Sequence, residues 1–206
     1  KPQMGRGWTK GTEKTLCRTP VFEVVETPFT RDSDALIHPF CTLKAPDWVN
    51  ILAFTEDGLA VAVRQYRFGT ASMTVELPAG VVDEGEEPLQ AAERELLEET
   101  GYAAGKWVSL GSCASNPALM DNRTHLFLAL DCSPTRPQEP DAHEEIEVEL
   151  LTRDVLLNRI RTQQIDHAIA MATITRWLLL EKRTDSGDPL PDPLPRPRPE
   201  TPVETK

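Results

Sequence analysis

The sequence of 206 residues lacks a long apolar run, an excess of positive charge and closely spaced cysteines. No apolar stretch reaches the ~18 residues of a membrane-spanning helix, and the opening residues KPQMGRGW do not read as a secretory signal. We therefore expect no membrane partner. The formal net charge is −11, which argues against nucleic acid as a partner, because binding to a phosphate backbone needs a basic face.

Cysteine is scarce, and its spacing excludes common metal and redox motifs. The four residues Cys17, Cys41, Cys113 and Cys132 form no C-x-x-C pair. Because they fall mostly within apolar segments, we expect reduced, buried thiols, as is usual in the cytoplasm. The sequence therefore predicts a cytoplasmic protein.

Lysine is absent between Lys44 and Lys106, a stretch that is rich in acidic residues. Between Gly80 and Gly101 the chain reads GVVDEGEEPLQAAERELLEETG, with a single arginine. Its eight carboxylates belong to Asp83, Glu84, Glu86, Glu87, Glu93, Glu95, Glu98 and Glu99. An ordinary solvated helix gains from interleaved lysines. Their absence argues against a merely solvated acidic face.

The second half of this stretch has the pattern of a helix. Pro88 suits a first helical position, and Gly101 suits a left-handed C-terminal cap, so the helix should run to about Glu99. Helical periodicity predicts a buried stripe made of Leu89, Ala92 and Leu96.

Three carboxylates lie on an arc beside that stripe. Glu95, Glu98 and Glu99 are one turn apart, and like charges at this spacing destabilise a helix by a few tenths of a kcal/mol per pair. A cation should compensate for this repulsion. Oxygen ligands without histidine or cysteine suit Mg²⁺, or alternatively Mn²⁺, bound together with substrate phosphates.

The stretch resembles the Nudix box, G-x5-E-x7-R-E-U-x-E-E-x-G-U, in which U is aliphatic. The matching residues are Gly80, Glu86, Arg94, Glu95, Leu96, Glu98, Glu99 and Gly101. Tyr102 departs from the pattern, but only at a packing position. The resemblance implies metal binding by Glu95, Glu98, Glu99 and the carbonyl of Ala79. It also implies structural roles for Gly80, Glu86, Arg94 and Gly101, with Arg94 pairing with box carboxylates.

Segments outside the box resemble the ADP-ribose and nucleotide-sugar pyrophosphatases of this family. VRQYR, which ends at Arg67, is followed by ELPAG, and Pro117 lies sixteen residues after Gly101. The stretch from Glu144 and Glu145 onward resembles a late loop that carries a catalytic acid in this subgroup. The resemblance therefore implies substrate contacts at Arg67 and Pro117. It also implies catalytic roles for Glu98 and for Glu144 or Glu145, with Glu144 favoured by the alignment.

Each of these residues also has a simpler interpretation. Arg67 could be a surface charge at a strand end, Pro117 a plain turn, and Glu144 and Glu145 solvated loop residues. However, an acidic protein that binds an anionic substrate needs a local arginine, whose planar fork matches phosphate geometry. Trp8 and Trp48 could stack on a base or simply pack, and His125, within a strand, is interpreted as structural.

Strand and helix patterns alternate along the chain, which predicts an α/β fold. Strands are expected at 21–26, 36–43, 49–54, 59–66, 107–110, 125–130 and 146–151, with Pro39 marking an edge strand. Glu56-Asp57-Gly58 indicates a hairpin. Thr152 and Asp166 are candidate caps of two late helices. The fold implied is an α/β/α sandwich with a mixed sheet.

We divide the chain into three parts: an N-terminal β extension (1–46), a Nudix hydrolase domain (47–183) and a disordered proline-rich tail (184–206). The resemblance implies hydrolysis of a nucleoside diphosphate sugar, with ADP-ribose split to AMP and ribose 5-phosphate, and a homodimer that shares active sites. The open alternatives are another nucleoside diphosphate derivative such as GDP-mannose, or a non-catalytic nucleotide-binding module.

Overall fold

The computed structural model describes residues 7–140 and 145–185. The strands are β1 (Trp8–Lys10), β2 (Lys14–Arg18), β3 (Glu23–Arg31), β4 (Ile37–Lys44), β5 (Trp48–Thr55), β6 (Ala60–Arg67), β7 (Ser72–Glu76), β8 (Ala79–Val81), β9 (Tyr102–Ala103), β10 (Lys106–Ala114), β11 (Arg123–Pro134) and β12 (Ile146–Leu151). The helices are α1 (Pro88–Thr100), α2 (Arg153–Arg161) and α3 (Ala168–Asp185).

The first four strands form a separate antiparallel sheet. Strands β1 and β2 pair with successive parts of one edge of β3, and β4 pairs with the other edge. Pro39 therefore lies in an edge strand, as predicted, where its missing N–H breaks no inner ladder. The sheet leaves several large apolar side chains exposed, namely those of Trp8, Leu16, Ile37 and Phe40.

The main sheet is mixed and has the order β10-β11-β5-β6-β12, in which β11 and β5 are parallel. Strands β5 and β6 pair only next to their hairpin turn and then separate. Beyond the turn β8 pairs with β5, while β7 pairs with β6. The short segment that joins β7 to β8 therefore lies at the point where the central strands part.

Helices cover both faces of this sheet. Alternate residues of β5 point to opposite faces, as the two-residue period of a strand requires. Val49, Ile51 and Ala53 belong to the apolar core under α1, whereas Leu52 and Phe54 belong to the core under α2 and α3. Burial on both faces explains why β5 is an almost continuous apolar run. The predicted α/β/α sandwich with a mixed sheet is confirmed.

The hairpin and caps were predicted with mixed success. Gly58 has φ +75° in the β5–β6 turn, a conformation that favours glycine. The hydroxyl of Thr152 accepts a hydrogen bond from Val155 N and caps α2, as predicted. However, α3 begins two residues after Asp166, and its first turn is closed by Met171 N donating to the carbonyl of His167. Asp166 is therefore not adjacent to the helix that it was expected to cap.

The predicted burial of the thiols is wrong for two of the four cysteines. Cys17 and Cys41 are exposed, because they lie in the thin N-terminal sheet, where most residues of β2 and β4 are exposed. Cys132 is buried, and burial raises the pKa of its thiol to about 11. None of the four, all within the described residues, forms a disulfide.

Two further expectations concern membrane-spanning helices and the C-terminal tail. Within residues 7–140 and 145–185, no helix is both long and apolar enough to cross a membrane. The proline-rich tail that we predicted from residue 184 onward lies outside the described residues, apart from the last two residues of α3.

Candidate active site

Helix α1 has the predicted ends but buries a different set of residues. It begins with Pro88 as the first helical residue and ends at Thr100, followed by the C-cap Gly101, whose φ is 75°. Glu87 is the N-cap and forms a capping box with Gln90. Leu89, expected in the buried stripe, is 40% exposed. It lies in the first turn, directly after an exposed loop, and so helical periodicity alone overestimates its burial.

The buried side of α1 contains a carboxylate among apolar residues. Ala91, Ala92 and Leu96 pack against the sheet, and Glu99 is buried on the same side. A buried carboxylate is costly unless it is hydrogen-bonded. Oε2 of Glu99 accepts a hydrogen bond from the backbone N–H of Ala79, at 3.0 Å. This bond fixes the end of α1 to the segment where the central strands part.

Arg94 joins the remaining acidic residues of the box. Its Nε and Nη2 donate to the two carboxylate oxygens of Glu86, each at 3.0 Å. Its Nη1 donates to Glu95 at 2.7 Å and to Glu98 at 3.1 Å, while Nη2 also donates to the carbonyl of Val81. The hydrogen bonds that Arg94 donates to Glu86 outweigh burial and raise the pKa of Arg94 above its ordinary range. The arginine therefore ties the loop before α1 to the helix itself.

Two of the three proposed metal-binding carboxylates lie beside the Ala79–Gly80 backbone, and the third, Glu98, is linked to Glu95 through Arg94. Glu99 is bonded to Ala79, and a Cβ placed on Gly80 would overlap the carboxylate of Glu95. Glu95 and Glu98 share one nitrogen of Arg94. Across the described part of the chain, no three acidic, histidine or cysteine side chains converge tightly enough to hold an ion in this arrangement. The oxygen donors suit Mg²⁺ or Mn²⁺ chemically, and their role as ligands stays a prediction.

Replacing Gly80 with alanine tests the closeness of Glu95 to this backbone. The added methyl group would push the flexible Glu95 carboxylate aside, because it would occupy the same space. We expect a small loss of stability, since only the end of a side chain must move, but a large loss of phosphoanhydride turnover. Gly69→Ala is the matched control, because no atom lies within 4 Å of the Cβ position at Gly69 and its φ is not positive. An unchanged turnover in Gly80→Ala would contradict a role for Glu95.

Arg67, the predicted substrate contact, is held by a buried carboxylate that sequence reasoning did not single out. Its Nε and Nη2 donate to Glu76 at 2.9 and 2.8 Å. Thr74 donates to the same carboxylate at 2.7 Å, and Nδ1 of His167 lies 3.1 Å from it. Burial would raise the pKa of Glu76, but the hydrogen bonds from Arg67, His167 and Thr74 lower it well below its usual range. The sequence did contain one signal for a buried carboxylate: Glu76 is the single charged residue in the mostly apolar segment TVELP.

Pro117 lies in an exposed turn between β10 and β11. The N–H groups of Leu119 and Met120 both donate to the carbonyl of Asn116. Leu43 N donates to the carbonyl of Leu119 at 2.7 Å, which ties the turn to β4 of the N-terminal sheet. The plain-turn interpretation and the substrate-contact interpretation of Pro117 are both compatible with this position.

The segment after β11 brings the start of β12 next to the end of α1. Glu139 N donates to the carbonyl of Glu98, and the side-chain amide of Gln138 donates to the carbonyls of both Glu99 and Ile146. Glu145 is exposed and directly precedes β12. Glu144, the favoured catalytic acid, lies outside the described residues.

The other aromatic candidates have protein contacts. Trp8 is edge-on to Phe40, and the guanidinium of Arg31 lies 5.6 Å from its ring centroid. Trp48 is partly buried at the start of β5. His125 Nε2 lies 2.8 Å from a carboxylate oxygen of Asp47, a contact that agrees with the structural interpretation of this histidine.

Comparison with known proteins decides the family. Residues 45–178 match the NUDIX domain. The chain belongs to the NUDIX domain family. It is 33% identical over 163 residues to the ADP-ribose pyrophosphatase of Bacillus subtilis, an alignment that covers 74% of this chain and 85% of that protein. It is 32% identical over 126 residues to the ADP-sugar pyrophosphatase of Mus musculus, covering 57% and 58% of the two chains.

The fold of this Nudix protein also has a counterpart among solved structures. A crystal structure of an ADP compounds hydrolase superposes with a TM-score of 0.74 at 21% identity, covering 87% of this chain and 96% of the other. At that identity the likeness concerns the fold alone. Together with the intact box, the family match identifies the chain as a Nudix hydrolase.

Proposed function

We propose that this Nudix hydrolase splits the pyrophosphate bond of a nucleoside diphosphate sugar, and that ADP-ribose is its substrate, with AMP and ribose 5-phosphate as products. The observation that carries the proposal is the placement of Glu95 and Glu99 against the Ala79–Gly80 backbone, with Glu98 beside them. The ADP-ribose pyrophosphatase and ADP-sugar pyrophosphatase named above support the choice of substrate.

The site has the donor set for a divalent cation. Mg²⁺, or Mn²⁺ in its place, would neutralise charge on the two phosphates and acidify a water molecule. Glu95, Glu98, Glu99 and the carbonyl of Ala79 would hold it. Arg67 would bind a phosphate oxygen through its guanidinium, which is the side chain best matched to that geometry.

In the hydrolytic step, the oxygen of a water molecule attacks one phosphorus atom. The bond from that phosphorus to the bridging oxygen breaks, and the second phosphate leaves with the bridging oxygen. A carboxylate orients the water and accepts its proton. Glu144 is our first choice for this role, and Glu145 and Glu98 are the alternatives. The bonds of Gln138 and Glu139 to the end of α1 support this assignment, because they anchor the segment that leads to Glu144 next to the box helix.

We further propose that the protein is a cytoplasmic homodimer. The exposed apolar side chains of the N-terminal sheet, among them Trp8, Ile37 and Phe40, support this proposal. Burying such a surface against a second copy would remove apolar area from water.

Two alternatives remain for the substrate and the activity. Another nucleoside diphosphate derivative, such as GDP-mannose, would use the same carboxylates. A non-catalytic nucleotide-binding module would not need the complete acidic set, and so the intact Glu95, Glu98 and Glu99 favour an enzyme.

A panel of phosphoanhydrides tests the proposal. Purified protein with Mg²⁺ should hydrolyse ADP-ribose to AMP and ribose 5-phosphate, with little action on ATP or GTP, when products are separated by chromatography. The panel should include GDP-mannose and other nucleotide sugars. Faster turnover of triphosphates than of every nucleotide sugar would contradict the assignment, and binding without hydrolysis would favour the non-catalytic alternative.

A further inference from the structure

The carboxylate of Glu76 is the most deeply buried charged group next to the candidate active site. Its side chain is only 2% exposed, although it stands two residues before Pro78 at the end of a short strand. An ionised carboxylate at such a depth is costly unless it is paired and hydrogen-bonded. The proposed chemistry assigns this residue no role, and so its burial needs another explanation.

Groups from three parts of the chain surround the carboxylate of Glu76. Arg67, from the end of β6, contacts both of its oxygens. Thr74 lies on the same face of β7, and His167 precedes the first residue of α3. The carboxylate is thus contacted from several directions and is almost fully buried. Of the two partners, Glu76 is the more deeply buried.

Arg67 is the more accessible partner. Its side chain is 40% exposed, and its Nε and Nη2 are the atoms that face Glu76. An arginine side chain has about 2 kcal/mol of rotamer entropy, which must be lost before it can bind a ligand in one geometry. The two hydrogen bonds from Nε and Nη2 to the buried carboxylate restrict the rotamers of Arg67 before the substrate binds, which lowers the entropy lost on binding.

We propose that Glu76 is a positioning residue for Arg67: it orients the guanidinium so that Arg67 can bind the diphosphate of the substrate. This inference rests on the proposed function, because it takes Arg67 to be a phosphate ligand. A positioning role for Glu76 differs from that of a purely structural ion pair in its effect on substrate binding. A structural pair would contribute to stability alone, whereas a positioning residue must act on substrate affinity through Arg67.

A double-mutant cycle separates these roles. The proteins are the wild type, Glu76→Gln, Arg67→Lys and the double variant, all as the full chain. Lysine keeps a cation opposite Glu76, so the fold is retained, but it is a point charge without a fork to orient. In the wild-type background Glu76→Gln should raise KM for ADP-ribose about tenfold, the equivalent of one charge-assisted hydrogen bond, and should change kcat less. In the Arg67→Lys background the same change should alter KM by less than about twofold.

A matched control comes from a second Glu–Arg pair. Glu149 in β12 pairs with Arg159 in α2, and both side chains are partly buried. Glu149→Gln should lower the melting temperature without raising KM. Additive KM effects in the cycle, or a Glu76→Gln protein that loses only stability, would overturn the positioning role.

A separate readout distinguishes this inference from the proposed function. Absence of turnover of every nucleotide sugar by the wild type would reject the proposed function. The positioning role would then be judged by calorimetry with inorganic pyrophosphate, whose affinity should fall about tenfold in Glu76→Gln. Equal affinity of the two proteins, or no pyrophosphate binding by the wild type, would overturn the positioning role as well.

Discussion

Glu99→Gln should reduce turnover by more than about a hundredfold, since even the outer-shell partners of metal ligands are worth about 10–100-fold. Glutamine keeps the volume of the side chain and an oxygen that can accept the N–H of Ala79, as Glu99 does now. Without added metal, the loss of one charge from a buried acidic site should leave the melting temperature equal or slightly higher. The fold would survive while the proposed metal site would not.

Turnover and melting temperature must be measured together, with and without Mg²⁺. Glu93→Gln is the matched control, because Glu93 lies on the exposed side of the same helix. Glu87 would be a poorer control, since it caps the helix. Full activity of Glu99→Gln, or a loss of activity that merely follows unfolding, would contradict the metal-site interpretation of α1.

Among the substitutions proposed here, Arg94→Met should lower the free energy of unfolding the most. It removes the shared donor of Glu86, Glu95 and Glu98 and leaves their carboxylates facing one another. Breaking a fully buried ion pair costs about 3–5 kcal/mol, and we expect about 2–4 kcal/mol here because Arg94 is partly exposed. In a chain of this size that corresponds to a fall of roughly 5–15 °C in Tm. Added Mg²⁺ should restore part of the loss, because a cation bound to the folded state stabilises it.

The pH dependence of this loss has a defined sign. Hydrogen bonds from Arg94 lower the pKa of Glu86 below its ordinary value of 4.5. Such a depressed pKa contributes stability that is fully present above the unfolded value and is lost as the pH falls through the folded value. The Tm difference between wild type and Arg94→Met should therefore be constant near pH 7 and shrink below about pH 4.5. A difference that grew on acidification would contradict the ion-pair explanation.

Most of the architecture could be predicted from local patterns in the chain. Strand β5 is an almost continuous apolar run, Pro88 and Gly101 mark the ends of α1, and Thr152 caps α2. Strands β7 and β8 were not predicted, because they pair where the central strands part, which depends on contacts distant in sequence. The burial of Leu89 was overestimated for a similar reason, since helical periodicity says nothing about where the sheet ends.

The candidate site could be predicted only as far as its motif extends. The box residues have fixed spacing, so the neighbourhood of Glu95, Glu98 and Glu99 followed from the helix. Glu76 has no such spacing to Arg67 or His167. Its role depends on a hairpin and on the start of α3, which a linear pattern does not bring together.

The last turn of α1 is not frayed into solvent. Carbonyl oxygens in this turn accept hydrogen bonds from Gly101 N, Glu139 N and the side chain of Gln138, and the carbonyl of Gly101 accepts one from Thr135 N. Helix ends usually exchange their amide hydrogens first, because their opening costs little free energy. Here the helix end and the segment from Thr135 to Glu139 must open together. The amide hydrogens of Gly101, Thr135 and Glu139 should exchange with solvent at a common slow rate, as one cooperative unit.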